Sequence, residues 1–306
     1  MQVMDLIDLR GRAKTSAFLT ANSDQYQAWR EAKLALTPEG LEKLLISIEN
    51  PMQFNDQEIG AIQKALIATN MAIYDLGGIP GESKTELVRR NRQLGLNRLD
   101  GNLCSDEDNV TSLRVNQEGR HKFYIPYTNK RLVWHADGYY NDSEHQILGM
   151  TLHCVQQAAS GGESLLLDHE LAYLHLRDQD PAYIDALFEQ DVLTIPPNIE
   201  NGVEIRGART GPVFSILDNG ALHMRYSARK RNIEWKNDSV TQEAVACLSE
   251  FLEGSNPYIY EYRLKPGQGL VCNNVLHARK SFEDEGQDED ARLLYRARYY
   301  DRVSNT

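Results

Sequence analysis

The stretch Ile147-Leu-Gly-Met-Thr-Leu-His-Cys-Val155 constrains the fold more than any other part of this chain. Ile147, Gly149, Thr151, His153 and Val155 alternate with the mostly apolar Leu148, Met150, Leu152 and Cys154, and no charged residue interrupts them. Successive side chains of a strand point to opposite faces, so this segment reads as a strand covered on both sides. Short strand candidates surround it at 112–115, 123–127, 132–135, 163–168, 258–264, 269–273 and 292–300. Residues 213–217 and 222–226 flank Asp218-Asn219-Gly220, a hairpin turn signal. Helical patterns interrupt the strands at 168–177, at 180–189 after Asp180-Pro181, and from Ser239, read as capping-box partner of Gln242, to about 252. Strands and helices do not alternate regularly. The expected fold is therefore mixed α/β with a mainly β core, a β-sandwich or jelly-roll with helices packed outside.

The first hundred residues read mainly as helix. Thr37-Pro38 opens one pattern through Leu41, Leu44, Leu45 and Ile48, stopped at Asn50-Pro51. Asn55 with Glu58 caps another that carries Ile59, Ile62 and Leu66 on one face, and 71–76 is a strand candidate. We find no repeat or linker, so one domain over 1–306 is expected, helix-rich to 109 and jelly-roll from about 110.

Charge narrows the partners. Lys plus Arg total 33 against 44 Asp plus Glu, a formal charge of −11, so a nucleic-acid backbone would be repelled. A small molecule is the expected partner, and an anionic one would need specific arginines; self-association is left open. Cys104, Cys154, Cys247 and Cys272 form no C-x-x-C pair, and Cys154 and Cys272 sit in apolar runs as buried thiols, which favours a reducing compartment. Residues 1–20 carry Asp5, Asp8, Arg10, Arg12 and Lys14 rather than an apolar leader, and no stretch has the length of a membrane span. A cytoplasmic protein is expected.

The chemistry concentrates at Trp134-His135-Ala136-Asp137-Gly138. On an extended segment, His135 and Asp137 share one side and offer one nitrogen and one carboxylate to a single cation. His277, 140 positions after Asp137 and just past the strand candidate at 269–273, supplies a third ligand. Two histidines and a carboxylate leave coordination positions open. Arg292, Arg296 and Arg298 then lie on one face of the last strand candidate, and buried guanidinium groups need anionic partners. The alternative is an exposed face paired with the acidic run at 283–290.

These residues resemble the TauD/TfdA-like family of Fe(II)/2-oxoglutarate oxygenases, over roughly 124–300. His135-x-Asp137-Gly fits the family's first metal motif, and His277-Ala-Arg279 its second metal histidine with a trailing arginine. Gly161-Gly162-Glu163-Ser164 fits the segment whose hydroxyl helps bind the 2-oxoglutarate carboxylate. Arg292 and Arg296 fit the pair that holds 2-oxoglutarate and an anionic substrate group, although the long acidic segment after His277 leaves Arg296 open for the first role. Residues 161–167, Met224-Arg225-Tyr226 and Asn273-Asn274 are also similar, in patches, to the carbon-starvation-induced glutarate hydroxylase branch. Ala136 stands where the family commonly has Thr.

The resemblance implies a dioxygenase that hydroxylates a small substrate bearing a carboxylate or sulfonate. Fe(II), 2-oxoglutarate and O2 are the implied reagents, and succinate and CO2 the by-products. It implies His135, Asp137 and His277 as metal ligands and Ser164 and Arg292 on 2-oxoglutarate; Arg296 and Arg225 are the candidates for the substrate anion, with structural salt bridges the alternative at both. Asp137 argues against halogenation, whose relatives lack the carboxylate. Trp134, Tyr139 and Tyr140 are candidate pocket walls, while His121, His145, His153, His169, His175 and His223 read as ordinary surface or core residues. Two other readings stay open: zinc-assisted hydrolysis on the same triad, and a catalytically silent sensor that keeps the pocket.

Overall fold

The structure, a computed structural model, describes residues 3–78, 83–101, 105–116, 124–229, 231, 233–284 and 291–306. Two sheets face each other. The larger has six strands in the order Leu45–Ser47, Met71–Asp75, Gln268–Cys272, Gly149–Gln156, Leu293–Tyr299, Thr111–Leu113. Gly149–Gln156 lies between two antiparallel partners, and Met150, Leu152 and Cys154 are buried, as its apolar texture demands. The smaller sheet runs Tyr260–Tyr262, Ser164–Leu167, Leu276–Arg279, Leu132–His135. Together they form the β-rich core of a double-stranded β-helix.

Helices cover the outside and divide the core in two. One apolar cluster joins the larger sheet to the helices Asp56–Thr69 and Lys84–Gln93, through Ile62, Leu66 and Leu87. The other joins Ser23–Leu36, His169–Gln179 and Ser239–Glu253 to the smaller sheet, with Trp29, Tyr173 and Trp134 fully buried. The Asn55–Glu58 capping box forms as expected. No helix among the described residues is long and apolar enough to cross a membrane. Cys154 and Cys272 are buried free thiols; Cys104 lies outside the described residues.

Several local expectations are corrected. The helix expected after Thr37-Pro38 is a short turn, Leu41–Leu44, followed by strand Leu45–Ser47, which pairs in parallel with Met71–Asp75. An i, i+3, i+4 pattern also fits a turn and strand that bury Leu44 and Ile48, and here sheet pairing wins. The region 1–109 thus contributes two strands to the large sheet. Residues 125–127 form a turn rather than a strand, because Pro126 has no amide hydrogen for a ladder. Asp238, one residue earlier than expected, caps the helix Ser239–Glu253 by accepting from the Thr241 amide at 2.9 Å. The sequence reading also missed the Ser83–Glu86 capping box that opens Lys84–Gln93.

Candidate metal centre and active-site cavity

His135 ends one strand of the smaller sheet, and its direct antiparallel partner is His277. Residues directly opposite in such a pair project to the same face about 5 Å apart. The two imidazole centroids accordingly lie 4.2 Å apart. Asp137 follows two residues later and turns back to the same face. Gly138 makes that turn possible: its φ is +68°, and a Cβ there would sit 2.4 Å from Ile147. One donor atom from each of His135, Asp137 and His277 lies within 4.8 Å of the others, and all three residues are buried.

The protonation states suit a cation. Nδ1 of His135 is 2.9 Å from the Val133 carbonyl, and Nδ1 of His277 is 2.9 Å from the Val275 carbonyl. A carbonyl only accepts, so each Nδ1 carries the hydrogen and each Nε2 keeps its lone pair. Burial, then the neighbouring His277, lowers the pKa of His135 to about 3, and burial lowers that of His277. For Asp137, burial alone would raise the pKa. The guanidinium groups of Arg296 and Arg298 and the two imidazoles outweigh it and hold the carboxyl ionised, below the ordinary range. Asp137 Oδ1 accepts from Arg296 at 3.2 Å, whereas the buried Oδ2 has no hydrogen-bond partner among the described residues. An orphaned buried carboxylate oxygen beside two neutral imidazoles fits a divalent metal.

The strand Leu293–Tyr299 brings its inner-face arginines to two places. Arg292, buried just before the strand, lines a small cavity with Ser164, Gly162 and Cys154. Its guanidinium lies 4.8 Å over the Phe282 ring and makes no side-chain hydrogen bond among the described residues. Burial pushes its pKa down to about 10, as expected for a cation without a matched anion. Asp284 from the acidic run accepts from the Arg292 amide at 3.2 Å and its charge partly offsets the burial of the guanidinium, and 285–290 lie outside the described residues. Arg296 and Arg298 line a larger cavity. There Arg298 pairs with Asp100 and donates to the Tyr140 hydroxyl at 2.8 Å. Arg279, which trails the second histidine, is spent on the carbonyls of Pro126, Thr128 and Lys130.

That larger cavity, about 750 Å³, opens over His135 and Asp137. Tyr139 and Tyr140 line it as expected, but Trp134 packs into the helix-side core instead. The hairpin Asn198–Glu200/Val203–Arg206 forms part of its wall, and Tyr124 donates to Glu200 at 2.7 Å. His145, read from sequence as ordinary, lines the mouth with its Nδ1 2.7 Å from Asp142. His153, His169 and His223 are core residues, and His121 lies outside the described residues.

Arg225 departs from its expected role. Its guanidinium donates to the carbonyls of Tyr139 (2.7 Å), Leu193 (3.1 Å), Gly211 (3.2 Å) and Arg209 (2.7 Å), outside the cavity lining. Its donors are engaged by main chain, so it is a clamp and not an anion receptor. Sequence reasoning also missed Asn274, which bonds both main-chain polar groups of Asp137. The only signal was the Asn273-Asn274 doublet ahead of His277, noted for its resemblance rather than its chemistry.

Two imidazoles and a carboxylate converging inside a double-stranded β-helix are the arrangement of a two-histidine-one-carboxylate metal centre. Comparison with known proteins agrees. The chain belongs to the taurine catabolism dioxygenase TauD, TfdA family, whose profile matches residues 34–298. The family is one of dioxygenase enzymes that use Fe(II), 2-oxoglutarate and O2. Relatives include a uridine-5'-phosphate dioxygenase of an Amycolatopsis species, 32% identical over 180 residues, or 56% of this chain and 63% of that protein. A Streptomyces protein of the same name is 29% identical over 204 residues, 64% of this chain and 71% of its own. The chain thus spans less than two thirds of the Amycolatopsis relative. Among solved structures, asparagine oxygenase in complex with Fe(II), 3-hydroxyasparagine and succinate has a TM-score of 0.54. That alignment covers 88% of this chain and 91% of the other at 16% identity, which speaks for the fold.

Proposed function

We propose that this chain is an Fe(II)/2-oxoglutarate-dependent dioxygenase that hydroxylates a C–H bond of a small anionic substrate. The unpartnered Oδ2 of Asp137, facing two imidazoles whose tautomers leave a nitrogen free, is the observation that carries the reading. His135, Asp137 and His277 would hold the iron. When bound, Fe(II) with O2 supplies oxidative decarboxylation of 2-oxoglutarate to succinate and CO2, coupled to C–H hydroxylation.

The protein's own residues position and exclude. Ser164 and the guanidinium of Arg292 suit the far carboxylate of 2-oxoglutarate, a charge-assisted site in a small cavity. The Val133 and Val275 carbonyls keep both imidazoles in the ligating tautomer. Arg296 stands at the inner end of the larger cavity, where donors not used by Asp137 can meet a substrate oxygen. Aromatic walls from Tyr124, Tyr139 and Tyr140 exclude water from the reacting centre. The two similar proteins named for uridine 5'-phosphate make a phosphorylated nucleoside the first substrate to try, ahead of carboxylates and sulfonates.

The test is succinate release from iron-loaded protein with 2-oxoglutarate and O2 across a panel of nucleotides, amino acids and sulfonates. Succinate formed with a panel member, and lost in Asp137→Ala, supports the reading. Activity restored to stripped protein by zinc alone, without 2-oxoglutarate, would replace it with hydrolysis. Binding of 2-oxoglutarate without succinate release on any substrate would leave a sensor.

A further inference from the structure

We propose that Arg206 and Arg209, at the rim of the larger cavity, form a receptor for a phosphate monoester on the substrate, and that Arg225 is its positioning residue. The inference rests on reading this cavity as the dioxygenase active site.

The geometry begins at strand Arg209–Gly211, which pairs with Leu193–Ile195 so that Arg209 stands opposite Ile195. Paired residues share a face, and both line the cavity. Arg206 ends the adjoining hairpin strand, lines the same wall, and lies 6.0 Å over the Tyr140 ring. Two of its donors go to the Gly207 and Pro196 carbonyls at 2.7 and 2.8 Å, which fix the plane of the guanidinium. Burial, then the nearby charge of Arg209, lowers the Arg206 pKa, so the two cations feel each other.

Of the acids nearby, Glu204 is exposed to solvent and Asp142 is already shared. Asp142 sits 3.8 Å from Arg209 but 2.7 Å from His145. Arg229 adds a further cation to the cavity lining, with no side-chain partner among the described residues. In a protein of formal charge −11, this rim is a local excess of positive charge. One carboxylate would leave that excess largely uncompensated, whereas a phosphate monoester carries about −1.5 to −2 and several acceptor oxygens. Guanidinium forks suit phosphate geometry, and tyrosine walls suit a planar body behind it. The chemical class is a small phosphomonoester with a flat ring system, such as a nucleoside 5'-phosphate.

Arg225 holds this rim in place. It bonds the carbonyl of Arg209 itself, those of Gly211 and Leu193 on the paired strands, and that of Tyr139 next to Tyr140. One buried side chain therefore fixes the phosphate arm and the aromatic wall relative to the metal segment 135–137.

The test is anaerobic calorimetry on Fe(II)- and 2-oxoglutarate-loaded enzyme with uridine 5'-phosphate, uridine and inorganic phosphate. The visible charge-transfer band of the bound iron and co-substrate is monitored alongside. The nucleotide is expected to bind at least about ten-fold more tightly than uridine, with inorganic phosphate competing. In R206Q/R209Q that preference should vanish while the band stays. Arg225→Lys should raise KM for the nucleotide about ten-fold or more, with kcat and the 2-oxoglutarate requirement little changed. With the band intact, equal binding of nucleotide and uridine, no binding of either, or a preference kept in the double variant overturns the phosphate site. An unchanged KM, or a fall confined to kcat or folding yield, overturns the role of Arg225. Absence of the band from the wild-type protein is a different failure, that of the dioxygenase reading itself.

Discussion

Asn274 embraces the main chain of Asp137 across 137 positions of sequence: its Oδ1 accepts from the Asp137 amide at 2.8 Å, and its Nδ2 donates to the Asp137 carbonyl at 2.9 Å. The same Nδ2 reaches the Ile147 carbonyl at 2.7 Å. Asn274 itself has a φ of +52°, a region asparagine tolerates better than most residues. The carboxylate is thus aimed by an amide from the loop between two core strands. Asn274→Ala should weaken Fe(II) binding about 10- to 100-fold, as is usual when an outer partner of a metal ligand is removed. Metal titration followed by the charge-transfer band checks this, and unchanged affinity would show that the turn at Gly138 suffices.

Arg292 and Arg296 should separate cleanly in kinetics. Arg292→Ala removes the cation from the cavity that Ser164 lines and should raise the 2-oxoglutarate KM by at least ten-fold, about 1.4 kcal/mol or more of binding. Arg296→Ala removes the partner of Asp137 Oδ1 and should mainly lower kcat and metal affinity. Steady-state rates at varied 2-oxoglutarate decide it; the reverse order would exchange the two roles.

Lys33 is fully buried, with Nζ 2.5 Å from Asp168 and 2.6 Å from Glu170, and Arg10 lies 3.0 Å from Glu170. Lys33→Met strands a buried carboxylate and should destabilise the fold by about 3–5 kcal/mol. The exposed pair Lys280–Glu261 is the control, and Lys280→Met should leave the midpoint nearly unchanged. Urea midpoints of the two variants test the contrast. Equal shifts would mean that Arg10 neutralises the site unaided.

Stability should fall in mild acid through histidines held neutral. Burial, and then nearby cations, lowers His153 and His223 from 6.5 to about 3. With the folded pKa below the unfolded one, the unfolded chain takes the proton first. This contribution is complete above about pH 6.5 and is lost as pH drops towards 3. Each group adds a slope of up to about 1.4 kcal/mol per pH unit in that window. Melting curves of metal-free protein between pH 7 and 4 should show the loss, and His223→Gln should flatten it. An unchanged slope in the variant would assign the effect to carboxylates alone.

The convergence of His135, Asp137 and His277 was legible in sequence because strand parity places the first two together and the third follows a strand. The inner face of the last strand was legible for the same reason: Arg292, Arg296 and Arg298 keep one parity. Arg225 stayed open in sequence because an arginine looks the same whether its partner is a substrate or four carbonyls. Asn274 and Asp100 act only through long-range contacts, on Asp137 and on Arg298, which no local pattern announces. The strand Leu45–Ser47 was hidden too, since its partner Met71–Asp75 decides its conformation and its own leucines do not.

The register that sets His135 opposite His277 would make a metal held there a fastener on the fold as well as a place for chemistry. A slip of one residue along that seam would turn one imidazole to the far side of the sheet and dissolve the site. Only the correctly closed barrel presents all three ligands, so an ion that binds there favours that closure by mass action. Chelation should then do more than silence the enzyme: it should loosen the smaller sheet where its Leu132–His135 edge strand meets Leu276–Arg279.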